Sequence, residues 1–570
     1  MPDRNHTKRW ETYPKIDGAA EAALSDYPQF FRQLLYNRGI CTAEDARKYL
    51  SYDGELADPF LLLDLESAVD RLISAFDNGE KVVVYGDYDV DGVTATVMMV
   101  EVMQRLGGIV EPYIPNRFEE GYGLNDEAIH VLARKHGASI ILTVDCGIRS
   151  PREAITAKNL GVDLIISDHH FPKGDLPAGY AVICPKQEND PYPYKDLAGV
   201  GGAYKIAQGL FIKKGMDVRK ADEWLDLVAL GTVADMLPLT GENRLMVARG
   251  LNYLKQGNRV GLNALIGVSG RDVRQVTATD IGFMLGPRLN AAGRMESALQ
   301  AYDLLISKSS VEAVKAAQIL DNQNSERQKA TLVAQEKAQL SVTNLESTYI
   351  ITAFDSEYSS GIVGLVASRL VEKFHRPAIV GERLEETIRA SCRSINGFHI
   401  TKALDECADL LVRHGGHEMA AGFTVRLENE EKLTARLQEI AARELGAKDL
   451  RPMLKADLEI ELCRFKPEYY GMIDQLQPTG MGNPAPLFVS RGVIVERMQV
   501  MGKESSHLSF SVQGSPINRA VAFNQAGWYQ TWYEEKPRFD IAYTIDVNHY
   551  NGMATLQLNI KDMKISAIGF

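Results

Sequence analysis

From about residue 80 to 240, short apolar runs alternate with amphipathic stretches. The runs are Val82–Val84, Ile140–Val144, Asp163–Ile166 and Tyr180–Cys184. Between them the spacing of apolar positions predicts helices over Val93–Leu106, Asp126–His136 and Pro151–Leu160. This alternation predicts a parallel sheet with helices on both faces. In such sheets functional residues gather beyond the carboxyl ends of the strands. Upstream, Phe30, Phe31, Leu34 and Leu35 mark a short helix, and Thr42 with Asp45 opens a second.

Residues 309–343 contain neither Gly nor Pro and start on Ser309 and Glu312, a capping-box pattern. The spacing predicts one helix of roughly 30 residues, roughly 45 Å long, as a stiff connector. A second α/β unit is predicted at 344–446. Beyond 452, strand-like runs at Val493–Val495, His507–Val512, Ala520–Phe523, Asp540–Val547 and Ala554–Ile560 predict a small β-barrel. The expected division is therefore 1–308 (an N-terminal segment and the first sheet), the 309–343 helix, 344–446 and 452–570.

At 570 residues the chain is too long for one core. No run of 18 apolar residues exists, and Met1–Lys8 lacks the apolar core of a signal peptide. Six scattered cysteines without a C-x-x-C fit a reducing cytoplasm and exclude a zinc ribbon. A net charge of −12 argues against nonspecific coating of nucleic acid, yet allows a strand to be gripped locally.

The chemistry lies where the apolar runs end. Val82–Gly86 leads into Asp87, Asp89 and Asp91, and anions this close repel unless a cation sits among them. An EF-hand is excluded, because the twelfth loop position counted from Asp87 is Met98. Ile140–Val144 ends in Asp145, Asp163–Ser167 ends in Asp168, His169 and His170, and an apolar stretch at Leu227–Val233 ends near Asp235. If the strands share one sheet, these ligands converge on one rim. Carboxylates with one or two imidazoles suit Mn²⁺ or Mg²⁺ better than structural zinc. There are enough ligands for two ions, the arrangement used in phosphoester hydrolysis.

The segments Asp87–Gly92, Thr143–Gly147, Ser167–His170 and Thr232–Met236 resemble the four motifs of the DHH phosphoesterases. On that resemblance Asp89 and Asp91 match metal ligands, Asp145 the carboxylate bridging two ions, and His169 and Asp235 ligands of the second ion. His170 matches the imidazole at the scissile phosphate, and Asp168 orients the His pair. Many members carry a His where this chain has Tyr85, so the first ion is expected to rely on Asp87, Asp89, Asp145 and water.

The runs Gly286–Met295, Gly361–Leu370, Gly415–Gly422 and Leu476–Pro484 resemble the branch of this family that degrades single-stranded DNA in bacteria. The resemblance implies a DHH sheet domain, a DHH-associated domain and an OB-fold. It also implies a monomer with 5′→3′ polarity that releases 5′-mononucleotides in DNA repair and recombination. A single-stranded-DNA-binding protein and a helicase are the implied partners. Arg117, Arg288, Ser391 and Arg393 are implied to hold the terminal 5′-phosphate, Asn290 and Arg294 to contact substrate, and His417 to line the nucleotide path. The usual Gly beside Arg393 is Cys392 here. In the barrel, Phe510, Phe523, Trp528, Tyr529, Trp532 and Tyr533 lie near Lys503, Arg519 and Lys536, a composition suited to base stacking or to barrel core. The alternatives are a phosphodiesterase of cyclic dinucleotides or short oligonucleotides, which leaves the barrel unexplained, and a non-catalytic scaffold, which predicts eroded ligands.

Overall fold

In the computed structural model, which describes residues 8–116, 120–121, 123–342, 344–345, 347–550 and 553–567, five parallel strands form the first sheet. Their order across the sheet is Ile109–Tyr113, Lys81–Gly86, Ile140–Val144, Asp163–Ser167 and Ala181–Ile183. Val82–Val84, Ile140–Leu142, Ile165 and Ile166 are buried, as continuous apolar runs covered on both faces must be. The chain passes from Lys81–Gly86 to one neighbour and then returns to the other side. The crevice at this reversal is where α/β sheets bind ligands, and it lies between the ends that carry Asp87–Asp91 and Asp145.

The helix Val90–Arg105 is buried along most of its length and packs between the sheet and the helices Gly199–Lys213 and Leu225–Ala234. Leu227–Val233 is thus a buried helix whose C-terminus presents Asp235.

The helix Ser310–Gln339 has 30 residues, and Ser309 Oγ accepts the Glu312 N–H at 3.4 Å. It is a packed spar, not a free connector. Ala313, Ala317 and Leu320 join the core of the first unit, whereas Ala334 and Ala338 join the core of the second. That unit has a five-stranded sheet in the order Leu411–Gly416, Ala420–Arg426, Thr387–Arg393, Ala378–Arg383, Ile351–Asp355. One face is covered by Ile400–Asp405 and Glu430–Leu445. On the other, Val363–Phe374 packs over Ile351–Asp355 and Ala378–Arg383.

Seven C-terminal strands surround one apolar core that includes Phe488, Phe510, Phe539 and Tyr543. Phe31, Leu34, Leu35, Ile40 and Ala46 pack into this same core, and the strand Arg9–Thr12 pairs in parallel with Met453–Ala456. The N-terminal segment, grouped from the sequence with residues 1–308, is therefore built into the C-terminal unit. Local periodicity shows that these helices are amphipathic, but it does not identify the surface they cover. Of the barrel aromatics, Phe510 and Trp532 are core, whereas Phe523 and Tyr533 are exposed. The Lys536 ammonium lies 3.4 Å from the centre of the Trp532 ring.

Candidate metal centre

Asp89 starts the helix Val90–Arg105. Its carboxylate accepts the N–H groups of Asp91 and Gly92 at 2.9 and 3.1 Å, the preferred cap for a helix N-terminus. This turn carries the chain from the strand end into the helix and brings Asp87, Asp89 and Asp145 within reach of a single ion. Tyr85 stays outside that group. Its ring is buried, and its hydroxyl donates to the Gly123 carbonyl at 3.0 Å.

Asp91 faces the other way. Its two oxygens accept the N–H groups of Gly199 and Val200, at 2.7 and 2.8 Å, at the start of the helix Gly199–Lys213. The same carboxylate groups with His169 and Asp235. Asp91 therefore fastens a helix N-terminus while lying at the ion site.

Asp145 sits at the end of its strand with φ +66°. This left-handed conformation costs a non-glycine residue about 1 kcal/mol and turns the carboxylate into the crevice. Gly147 follows at φ +109°, where glycine carries the tight turn. His169 Nε2 lies 2.9 Å from Asp145 Oδ1, 3.6 Å from Asp235 and 3.8 Å from Asp91. The first contact lacks hydrogen-bond alignment, so Asp145 Oδ1 and His169 Nε2 are both buried without a hydrogen-bond partner. Such atoms are costly to bury unless a cation engages them.

The electrostatics agree with that demand. Burial and neighbouring Asp91 raise Asp145 well above the carboxylate range. Burial and Asp89 raise Asp91 to about 7, and burial, Asp91 and Asp89 raise Asp235 to about 9. Burial and the neighbouring His170 hold His169 down at about 3, so it is the neutral imidazole that a metal requires. Without a cation these carboxylates resist ionising together. A divalent pair fits the oxygen-rich donor set and its single buried imidazole.

Asp168 does not share this character. Burial opposes its charge, but hydrogen bonding to His170 more than compensates and brings it to about 2. Its Oδ1 lies 2.7 Å from His170 Nδ1 and accepts the N–H groups of His169 and His170, while Oδ2 accepts from Ile148 N–H. It fixes the His pair from behind. Burial lowers the affinity of His170 for a proton, yet the Asp168 contact raises it overall.

Among the described residues, the second unit meets the first at His417 and at Gly361. His417 Nε2 lies 3.4 Å from Arg149 Nη2, and burial, Arg149 and His170 lower its proton affinity. Arg294 Nη1 donates to the Gly361 carbonyl at 3.3 Å. Ser391 and Arg393 lie together, with Nη1 donating to Ser391 Oγ at 3.1 Å, against Gly364 at the start of the helix Val363–Phe374. Arg288 Nε donates to Asp321 of the long helix at 2.8 Å and Nη1 to the Met284 carbonyl. Asn290 is half-buried in the helix Gly286–Met295, and Arg117 lies outside the described residues.

Several residues of the site escaped the sequence reading. Gly199 packs against Asp145: a Cβ there would lie 2.6 Å from the Asp145 Cβ. The run Gly199-Val200-Gly201-Gly202 was the available signal. Lys186, just past the fifth strand, opposes the rise of Asp235 by its charge; the strand-end rule applied once more would have found it. Gly199→Ala is expected to displace Asp145 and weaken Mn²⁺ binding about 10- to 100-fold. Isothermal titration checks this, and unchanged affinity would remove Asp145 from the ion site.

Hydrolysis of a phosphate ester is the class of reaction such a rim serves. Family models match along the chain: the DHH family N-terminal domain at residues 81–232, the DHHA1 domain at 346–443 and the RecJ OB domain at 456–562. The single-stranded-DNA-specific exonuclease RecJ of Bacillus subtilis (strain 168) is 40% identical over 94% of this chain and 67% of its own length. That of Salmonella typhimurium (strain LT2) is 34% identical over 95% and 96%. The crystal structure of RecJ from Thermus thermophilus with Mn²⁺ superposes with a TM-score of 0.84 at 29% identity, covering 99% of this chain and 80% of that one; another structure of that protein holds Mg²⁺. The chain belongs to the RecJ family of single-stranded-DNA-specific exonucleases.

Proposed function

We infer that this protein is a metal-dependent exonuclease of single-stranded DNA that works from the 5′ end and releases 5′-mononucleotides. The observation that carries the reading is the complete set of Asp87, Asp89, Asp91, Asp145, His169 and Asp235 on one rim, with His417 of the second unit against Arg149. Two divalent ions, Mn²⁺ or Mg²⁺, held by these carboxylates and His169 would supply an activated water and neutralise charge on the phosphate. The chain's own residues do the rest. Asp168 holds His170 Nδ1, so Nε2 is the nitrogen available to a phosphate oxygen. Ser391 and Arg393 offer a hydroxyl and a guanidinium to a terminal phosphate. Exposed Phe523 and Tyr533 suit stacking of bases further out.

In this reading the first sheet domain, up to residue 308, and residues 344–446 form the two walls, 309–343 ties them together, and 452–570, with the N-terminal segment packed into it, guides the incoming strand. We further propose a cytoplasmic monomer that works beside a single-stranded-DNA-binding protein and a helicase. No described helix is long and apolar enough to cross a membrane. A phosphodiesterase of cyclic dinucleotides is not favoured, because the relatives that match over most of this chain, its OB domain included, are named as single-stranded-DNA-specific exonucleases. Digestion of a long oligonucleotide labelled at either end, in Mn²⁺ or Mg²⁺, tests the reading. Early release of the 5′ label as a mononucleotide is expected, and early loss of the 3′ label alone would reverse the polarity. Arg393→Ala is expected to reduce the preference for a 5′-phosphate over a 5′-hydroxyl end by about 10-fold. An unchanged ratio would move the pocket elsewhere.

A further inference from the structure

The face of the second sheet that carries Ser391 and Arg393 extends well past them. In Thr387–Arg393 the side chains of Ile388, Ala390 and Cys392 enter the core beneath, so Arg389, Ser391 and Arg393 point to the opposite face. In Ala420–Arg426, Ala421, Phe423 and Val425 enter that core, which leaves Gly422 and Thr424 beside them. The helix Val363–Phe374 covers this face over Ile351–Asp355 and Ala378–Arg383 and meets Thr387–Arg393 at Ser391 and Arg393, and the edge strand Leu411–Gly416 is largely exposed. Register aligns the rows: Arg413 pairs with Thr424 and Thr424 with Arg389, and one step nearer the cleft Gly415 pairs with Gly422 and Gly422 with Ser391.

The result is a recess of about 320 Å³ lined by Arg389, Arg413, Gly415, Gly422 and Thr424. Arg389 and Arg413 are exposed, and neither forms an ion pair with another of the described residues. Arg413 Nε donates to Thr424 Oγ1 at 3.3 Å. Two strand spacings put the two arginines about 10 Å apart, so both guanidinium groups can converge above Thr424. Ser391 lies two residues from Arg389, about 7 Å along the strand. That is the reach of one or two further phosphates beyond a phosphate held at Ser391. Glycine in the intervening row leaves room for such a chain to lie against the backbone.

We propose that Arg389, Thr424 and Arg413 form a second anion subsite that takes an oligophosphate extending from the Ser391–Arg393 pocket. The ligand is a strand ending in a 5′-triphosphate, or a free nucleoside triphosphate with the same chain. The position of the pocket rests on the function proposed above, but the affinity of the recess for oligophosphate does not.

Two measurements separate the two. The first is titration of the metal-free full-length protein, in EDTA, with inorganic tripolyphosphate, with ATP and with orthophosphate. Wild type is expected to bind tripolyphosphate at least 10-fold more tightly than Arg389→Gln/Arg413→Gln. Equal affinity would overturn the subsite, whether or not the protein cleaves DNA. ATP binding that matches tripolyphosphate would identify free nucleotide as a ligand, and ATP binding lost alongside orthophosphate would restrict the site to strand ends. The second is cleavage of 5′-triphosphate and 5′-monophosphate oligonucleotides at fixed free Mn²⁺. The ratio of their kcat/KM values is expected to fall about 10-fold in the double variant, and a constant ratio would overturn the proposal. Absence of cleavage at both ends would refute the exonuclease reading and leave the titration to decide the subsite.

Discussion

Asp145→Asn is expected to remove cleavage of single-stranded DNA by at least about 10³-fold, a loss of roughly 4 kcal/mol of transition-state stabilisation. Asn is nearly isosteric and keeps a carbonyl oxygen, so the turn at φ +66° survives and Asn tolerates that conformation as well as Asp does. What disappears is the negative charge that lies 2.9 Å from His169 Nε2 and belongs to the same groups as Asp87 and Asp89 on one side and His169 on the other. A carboxylate in both groups can bridge two ions, and a neutral amide cannot neutralise either. Mn²⁺ stoichiometry should fall from two towards one while circular dichroism stays the same. Retention of more than a few per cent of wild-type cleavage in Mn²⁺, with both ions still bound, would refute the bridging role. The same substitution is expected to raise the melting temperature of the metal-free protein slightly, because it relieves repulsion among Asp91, Asp145 and Asp235.

The ion site was legible because it obeys a local rule: an apolar strand delivers a polar residue at its carboxyl end. Asp87, Asp145 and His169 follow from that rule, whereas the order of the strands across the sheet came from the structure. Two kinds of fact had no local signature. One is pairing over long separations, such as Arg9–Thr12 with Met453–Ala456, for which an amphipathic pattern names no partner. The other is the choice a charged side chain makes among equivalent partners. Arg288 and Arg393 look alike in sequence, both beside small residues. Arg288 pairs with Asp321, whereas Arg393 donates to Ser391. The acid that makes the difference lies on the long helix, whose helical character was plain and whose packed face was not. Asp91 combines both cases. Its position in the motif marks it as a ligand, but its bonds to Gly199 and Val200 depend on a helix that begins more than a hundred residues later.

Arg244→Leu is expected to uncouple the C-terminal unit from the catalytic sheet. Arg244 is buried on the helix Gly241–Lys255 of the catalytic unit. Its Nη1 donates to the carbonyls of Leu476 and Pro478 at 3.0 and 3.2 Å, and its Nη2 to those of Tyr49 and Gln475. The guanidinium also lies 3.7 Å from the centre of the Tyr49 ring. One side chain thus joins the N-terminal segment, the 475–484 turn and the catalytic core. Burial lowers its proton affinity, but an arginine this far above neutral pH keeps its charge. Leucine fills part of the volume but removes four hydrogen bonds from a charged donor, each worth about 1 kcal/mol, while Asn483 still donates to the Leu476 and Pro478 carbonyls and Tyr52 to that of Gln475. The expected loss is about 3–5 kcal/mol of interface stability. Because the N-terminal helices share the C-terminal core, the two should melt together, as a separate early transition in calorimetry. Mn²⁺ affinity should stay within about twofold, because the ion site lies on other elements. Cleavage of long strands should fall more than cleavage of short ones, since the strand loses a guide that is held in place. A single unshifted transition would mean that Leu239 N–H on the Met481 carbonyl and Arg249 on the Tyr52 and Gly54 carbonyls hold the joint without Arg244.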